Sequence, residues 1–221
     1  MKQIGKLWFP DEEGHFTQWG DNVHDYQREQ RDVAIKFVKD FSACIDVGAH
    51  VGIFSRHFQK YFGKVYAFEP MANLRECLLH NVDTDSVEIY PFALGDTARS
   101  ATMVKLSTAH SGCSFIWDDE RVFRPHVANP EIVPVEQRTI DSFEFESLGL
   151  IKIDVQGADH LVLLGATETL KRCKPVIMIE AKPVGGRGGP VEHILQTEAL
   201  LRGLGYKLHG KVGADRVYWH P

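Results

Sequence analysis

Short apolar runs alternate with helical segments along most of this chain, and most runs are followed at once by a glycine or an acid. The runs are Ala43–Val47 (ACIDV), Lys64–Phe68 (KVYAF), Val87–Phe92 (VEIYPF), Leu150–Val155 (LIKIDV) and Pro175–Glu180 (PVIMIE). Between them, Phe54–Tyr61, Leu74–Asn81, Leu161–Leu170 and Val191–Leu204 read as helices, with Gly165 a weak point in the third. Strands alternating with helices imply βαβ units and a mostly parallel sheet covered on both faces. The segments Tyr206–Lys211 and Arg216–Trp219 predict a closing antiparallel hairpin. The expected fold class is therefore α/β and doubly wound. At 221 residues the chain reads as one domain over 1–221.

Ahead of the alternation, residues 1–24 carry scattered aromatics without a clear period, and read as a strand-poor extension packed on the body. Val33, Phe37, Val38 and Phe41 share one helical face, so Asp25–Phe41 is expected to be an amphipathic helix. Pro91 marks the end of its strand, because proline has no N–H for the ladder. Residues 101–106 and 132–138 carry strand-like alternation. The insertion between them, 107–134, is polar and studded with aromatics. It reads as an acceptor-binding lid or as a plain surface excursion.

The net charge of −5 argues against broad nucleic-acid binding, so nucleic acid is not an expected partner. No run of about 18 apolar residues suggests a transmembrane helix. The stretch Met1–Gly14 lacks the apolar core of a signal peptide. Four scattered cysteines without a C-x-x-C pair read as reduced thiols, which suits a cytoplasmic setting. Oligomeric state is not readable from the sequence.

Ligands of doubly wound folds bind beyond the carboxyl ends of the strands. The first such loop is Asp46-Val47-Gly48-Ala49-His50-Val51-Gly52, where glycines permit a tight turn. The second is Glu69-Pro70-Met71, with a carboxylate about 17 residues past the last glycine, suited to the two hydroxyls of a ribose. The dinucleotide pattern G-x-G-x-x-G is absent. Here the spacing is G-x-x-x-G, with Asp46 just ahead of it. That carboxylate would repel a pyrophosphate and attract the cationic ammonium and sulfonium of S-adenosyl-L-methionine (SAM). The residues thus favour SAM over NAD, leaving an NAD-dependent oxidoreductase as a weaker alternative.

The ordered set IDVGAHVG (45–52), VYAFEP (65–70), IKIDVQGAD (151–159) and VIMIE (176–180) resembles the FkbM-type family of class I SAM-dependent methyltransferases. Asn81, Ala93-Leu94 and TIDSF (139–143) fit the same pattern. The resemblance implies a seven-stranded Rossmann-like sheet, bound SAM, and methyl transfer to a hydroxyl of a sugar, glycan or other secondary metabolite. It further implies that Gly48, Ala49 and Gly52, with His50, wrap the methionine part of SAM, and that Asp46 holds its ammonium. Glu69 takes the ribose, with Pro70 beside it. Met71, Phe92 and Ala93 lie near the adenine. Asp154 and Gln156 face the transferred methyl. The family usually carries Asn at His50 and Glu at both Gln156 and Asp159. Gln156 removes a charge, which speaks against a metal there and raises the alternative of a non-catalytic SAM-binding protein. Asp154 reads as a general base or as the N-cap of the following helix. His110 and His160 are the further candidate bases.

Overall fold

The computed structural model describes residues 1–105, 112, 114–116, 119–120, 131–182 and 191–221. A small antiparallel hairpin, β1 (Lys2–Ile4) and β2 (Leu7–Phe9), opens the chain. A 3₁₀ segment, Phe16–Asp25, and helix α1 (Arg28–Ile35) follow. Then come β3 (Ala43–Val47), α2 (Ile53–Phe58), β4 (Lys64–Phe68), α3 (Ala72–Asn81), β5 (Val87–Tyr90), β6 (Phe92–Leu94), β7 (Arg99–Lys105), β8 (Ser114–Ile116) and β9 (Glu131–Arg138). A 3₁₀ turn, Ile140–Phe143, leads to β10 (Leu150–Ile153), α4 (Asp159–Leu164), α5 (Thr167–Cys173), β11 (Val176–Glu180), α6 (Glu192–Gly203), β12 (Lys207–Val212) and β13 (Asp215–Trp219).

Seven strands form the central sheet in the order β12-β13-β11-β10-β3-β4-β5. The run from β11 to β5 is parallel, and β13 and β12 enter antiparallel. This is the doubly wound sheet with a closing hairpin that the alternation predicts. The strand order reverses between β3 and β10, so the switch point lies beyond Val47 and Ile153. One core, including Ile45, Phe68, Ile151 and Ile177, fills one face of the sheet. Another, including Cys44, Phe58, Leu78 and Met178, fills the opposite face.

Four expectations need correction. The extension is not strand-poor, because Leu7 and Phe9 bury their side chains and β1 and β2 pair. The helix expected over Asp25–Phe41 is cut to eight residues, because Gln27 is left-handed (φ 50°) and separates it from the 3₁₀ segment. The run Val87–Phe92 splits at Pro91: Tyr90 pairs with β4, while Phe92 pairs with Glu136 in a second sheet, ordered β6-β9-β7-β8. The helix expected over Leu161–Leu170 breaks at Gly165. A Cβ there would sit 2.0 Å from the Gly95 carbonyl oxygen, so the chain passes too closely for any side chain.

The extension is tied to the first glycine loop by Asn81. Its Oδ1 accepts from the Trp8 amide (2.7 Å), and its Nδ2 donates to the carbonyls of Trp8 (2.9 Å) and Val51 (2.8 Å). Among the described residues, no helix is long and apolar enough to cross a membrane.

Candidate active site

The rim at the switch point is held together by a buried ion pair. Lys152 and Asp46 face each other across the parallel pair β10–β3. Lys152 Nζ lies 3.0 Å from Asp46 Oδ1, and both side chains are buried. Ser55 Oγ donates to Asp46 Oδ2 at 2.7 Å. Lys152 Nζ also donates to the carbonyls of Gly48 (2.9 Å) and Val47 (3.3 Å). Burial works against the Lys152 ammonium, but Asp46 and Asp154 outweigh it and raise its pKa.

Asp46, expected to hold the ammonium of SAM, is buried and pairs here with Lys152 and Ser55. The Coulomb argument against a pyrophosphate also loses its force, because Lys152 balances Asp46.

The glycine loop likewise uses most of its own amides. Gly48 and Ala49 both donate to the Phe68 carbonyl at 3.0 Å, and Gly52 donates to the Ala49 carbonyl at 2.8 Å. Gly48 has φ +70°, and a Cβ on it would stand 2.1 Å from the Asp154 carbonyl oxygen. Its glycine is therefore required by the close passage of β3 and β10. The amides of Gly48, Ala49 and Gly52, the residues expected to wrap the methionine part of SAM, are engaged within the protein.

Glu69, at the end of β4, is buried and bridges two loops. Its Oε2 accepts from the His50 amide and its Oε1 from the Met71 amide, each at 2.9 Å. Burial raises its pKa to about 7, against the lowering effect of those two hydrogen bonds. A carboxylate oxygen has two lone pairs, so each can accept one further donor. Arg75 donates to the Glu69 and Pro70 carbonyls and fixes the turn between them.

Met71 and Ala93 share one apolar cluster with Val51, Ile53 and Phe16. Phe92 points to the opposite face, as successive strand residues must. There it packs against the other core with Tyr90 and Phe143, and the Arg138 guanidinium lies 3.7 Å above its ring. Met71 and Ala93 therefore keep company beside Glu69, and Phe92 does not join them.

Asp154 follows β10 directly and is half-buried. Its amide donates to the Val47 carbonyl at 3.1 Å, and Gln156 Nε2 donates to its Oδ1 at 3.2 Å. The N-cap position of α4 belongs to Ala158, and no side chain caps it, so the capping reading of Asp154 fails. Both His50 and Gln156 are left-handed (φ 54° each). Asn, Asp and His are the non-glycine residues found most often in that conformation, so His50 fits its position.

Asp154 is surrounded by acids that the sequence reading gave little weight. Asp159 opens α4, Glu180 ends β11, and Asp215 sits opposite Glu180 at the start of β13. Burial first, then the Asp154 charge, raises Asp159 to about 8 and Glu180 and Asp215 to about 7. Lys182 pairs with Glu180. Tyr26 reaches this group from the extension: burial raises its phenol pKa, and Asp154, Glu180 and Asp215 add to the effect. His50 is pushed down to about 4, mainly by burial, and its ring lies 5.7 Å from that of Phe16. His160 is buried within α4. His110 and most of the expected lid, 107–134, lie outside the described residues. Among the described residues, no three His, Cys, Asp or Glu side chains are grouped to hold a metal.

Lys152 is the residue that sequence reasoning missed. Its one signal is a charge in the middle of an otherwise apolar strand.

These titrations set a sign for pH dependence. A carboxyl raised in the folded state keeps its proton longer than the unfolded chain does, so stability falls as pH rises towards its folded pKa. Glu69, Glu180 and Asp215 act this way up to about pH 7, and Asp159 up to about pH 8. His50 and His57, both lowered to about 4, oppose them below their ordinary value of 6.5. The ligand-free protein is thus expected to lose stability most steeply between about pH 6 and 7. Thermal unfolding across that range checks it, with Asp159→Asn flattening the slope. A midpoint that rises with pH would contradict the assignment.

The strand order and the switch-point rim define a doubly wound fold of the methyltransferase type. The chain belongs to the FkbM methyltransferase family: the FkbM methyltransferase domain matches residues 46–208. Membership carries SAM as the cofactor. The FkbM methyltransferase of Methylobacillus flagellatus has a similar fold, with a TM-score of 0.54 at 13% identity. The similarity covers 98% of this chain and 57% of that one, so the present chain spans little more than half its length. A SAM-dependent methyltransferase from Aquifex aeolicus gives 0.47 at 15% identity, covering 92% of this chain and 95% of that one. A structure described as a putative rRNA methylase from Clostridium thermocellum gives 0.49 at 9%, covering 86% and 94%. No curated protein matches the sequence.

Proposed function

We propose that the protein is a SAM-dependent O-methyltransferase acting on a hydroxyl of a small polyhydroxylated acceptor, a carbohydrate or another secondary metabolite. The observation that carries this reading is Glu69: a buried carboxylate fixed by two amides of two different loops, with one accepting position left on each oxygen. That is the acceptor pair a ribose diol needs. Met71 and Ala93, in the adjoining apolar cluster, suit the adenine. His50, Asp154 and Gln156 are what the rim offers at the methionine end. Bound there, SAM supplies an electrophilic methyl group on an already activated sulfonium.

The chain's own work is positioning and proton handling. Asp154 accepts a hydrogen bond from Gln156, which orients its carboxylate without adding a second charge. An acceptor hydroxyl bonded to Asp154 is turned towards the cofactor and loses its proton to that carboxylate. Holding two reactants in line is worth about 7–11 kcal/mol, so no further catalytic group is required. Gln156 supports Asp154 in this arrangement, which favours a catalytic role over a purely SAM-binding one.

The test is methyl transfer from labelled SAM to a panel of hydroxyl, amine and thiol acceptors. Label on a hydroxyl acceptor is expected. Label confined to amines or thiols would contradict the oxygen assignment, and production of S-adenosylhomocysteine (SAH) with no acceptor class would favour a binding protein.

A further inference from the structure

A second cavity, of about 620 Å³, lies between α1, α2 and the end of the first 3₁₀ segment. None of Gly48, Glu69 or Asp154 lines it. Five cations do, Arg28, Arg31, Lys36, Arg56 and Lys60, against two carboxylates, Asp25 and Asp32. The chain as a whole carries −5, so this cationic pocket runs against the overall balance.

Arg31 is the anomaly at its centre. It is 3% exposed. One terminal nitrogen donates to the His24 carbonyl (2.8 Å) and the other to the Ile53 carbonyl (3.3 Å). Its buried Nε has no acceptor among the described residues. The Phe54 ring, 5.7 Å away, offers only a weak cation–π contact. Both lining carboxylates are engaged elsewhere: Asp25 bonds Arg28 (3.1 Å), and Asp32 lies 3.7 Å from Arg28 and 3.3 Å from His57. Buried charges are almost always paired, because a lone ion loses its hydration with nothing to replace it. Burial lowers the Arg31 pKa to about 10, against the raising effect of Asp32 and Asp25.

We propose that this cavity is a second binding site, for a phosphate-bearing small molecule. A buried guanidinium ringed by further cations matches a phosphate in charge. The volume exceeds what a bare phosphate fills and suits a nucleoside or sugar phosphate. Tyr61 is 46% exposed on the lining, and its ring lies 5.2 Å from that of His57, a surface on which a base or sugar ring can rest.

The test is calorimetric titration of the full chain with inorganic phosphate, AMP and glucose 1-phosphate, at low ionic strength, with and without saturating SAH. Binding of at least one probe is expected, with an affinity that SAH leaves unchanged. The three probes separate free phosphate, nucleotide and sugar-phosphate sources. Arg31→Met is expected to lose binding while keeping its affinity for SAH. Because Arg31 also ties two carbonyls together, the exposed pair Lys36→Glu/Lys60→Glu provides a variant whose fold is not at stake. It should weaken binding by about tenfold or more, the equivalent of about 1.4 kcal/mol. Absence of binding by the wild-type chain, competition with SAH, or unchanged affinity in the double variant would each overturn the proposal.

Discussion

Lys152→Met is expected to destabilise the protein by about 3–5 kcal/mol, because it leaves Asp46 ionised and buried without its partner. For a chain of this size that corresponds to a fall in unfolding midpoint of roughly 6–20 °C. The same change removes the donor to the Gly48 and Val47 carbonyls, so the glycine loop loosens and cofactor affinity falls with stability. Asp46→Asn alone strands the lysine and is expected to cost a similar amount. The double variant Asp46→Asn/Lys152→Met removes both charges and should recover much of the loss, since a buried pair replaced as a unit is often near neutral. Thermal and urea unfolding of the three variants measure it. Single variants within about 1 kcal/mol of wild type would mean that the pair is more hydrated than its burial indicates.

The second large effect is on rate. Asp154→Asn keeps the shape and the Gln156 contact but removes the proton acceptor, so kcat is expected to fall by about 10²–10⁴ with little change in unfolding midpoint. A merely structural Asp154 gives the reverse pattern: an unfolding shift with kcat preserved. Glu180→Gln and Asp215→Asn are useful companions. Both neighbours lie beside Asp154 without taking the acceptor's proton, so their variants are expected to spare the maximal rate.

Much of this was legible because it is local. The runs ACIDV, KVYAF and VIMIE form β3, β4 and β11 where periodicity predicts them. Glu69 stands out because a carboxylate directly after a strand has few structural reasons to be there. What escaped was whatever depends on strand neighbours distant in the chain. Lys152 and Asp46 are adjacent only because β10 lies beside β3, and no spacing rule encodes that register. Without it Asp46 reads as a free charge and Lys152 as an ordinary strand residue. Likewise, Pro91 signals an interruption but not that Phe92 crosses to a second sheet and turns away from Ala93. Gly165 reads as a weak helical position, and the reason for it, the Gly95 backbone, lies 70 residues earlier in the chain.

The central claim is that the rim around Glu69 binds SAM. Calorimetric titration of SAM and SAH into the wild type and Glu69→Ala tests it most directly, with unfolding midpoints recorded alongside. The account predicts binding by the wild type. It predicts an affinity weakened at least about 100-fold in the variant, because two hydrogen bonds to a charged group are worth about 1.5–3 kcal/mol each. It also predicts that wild-type affinity rises as pH increases through about 7, where Glu69 becomes an acceptor on both oxygens. A wild-type protein that binds neither compound, or a folded Glu69→Ala variant that binds as tightly as wild type, would contradict it.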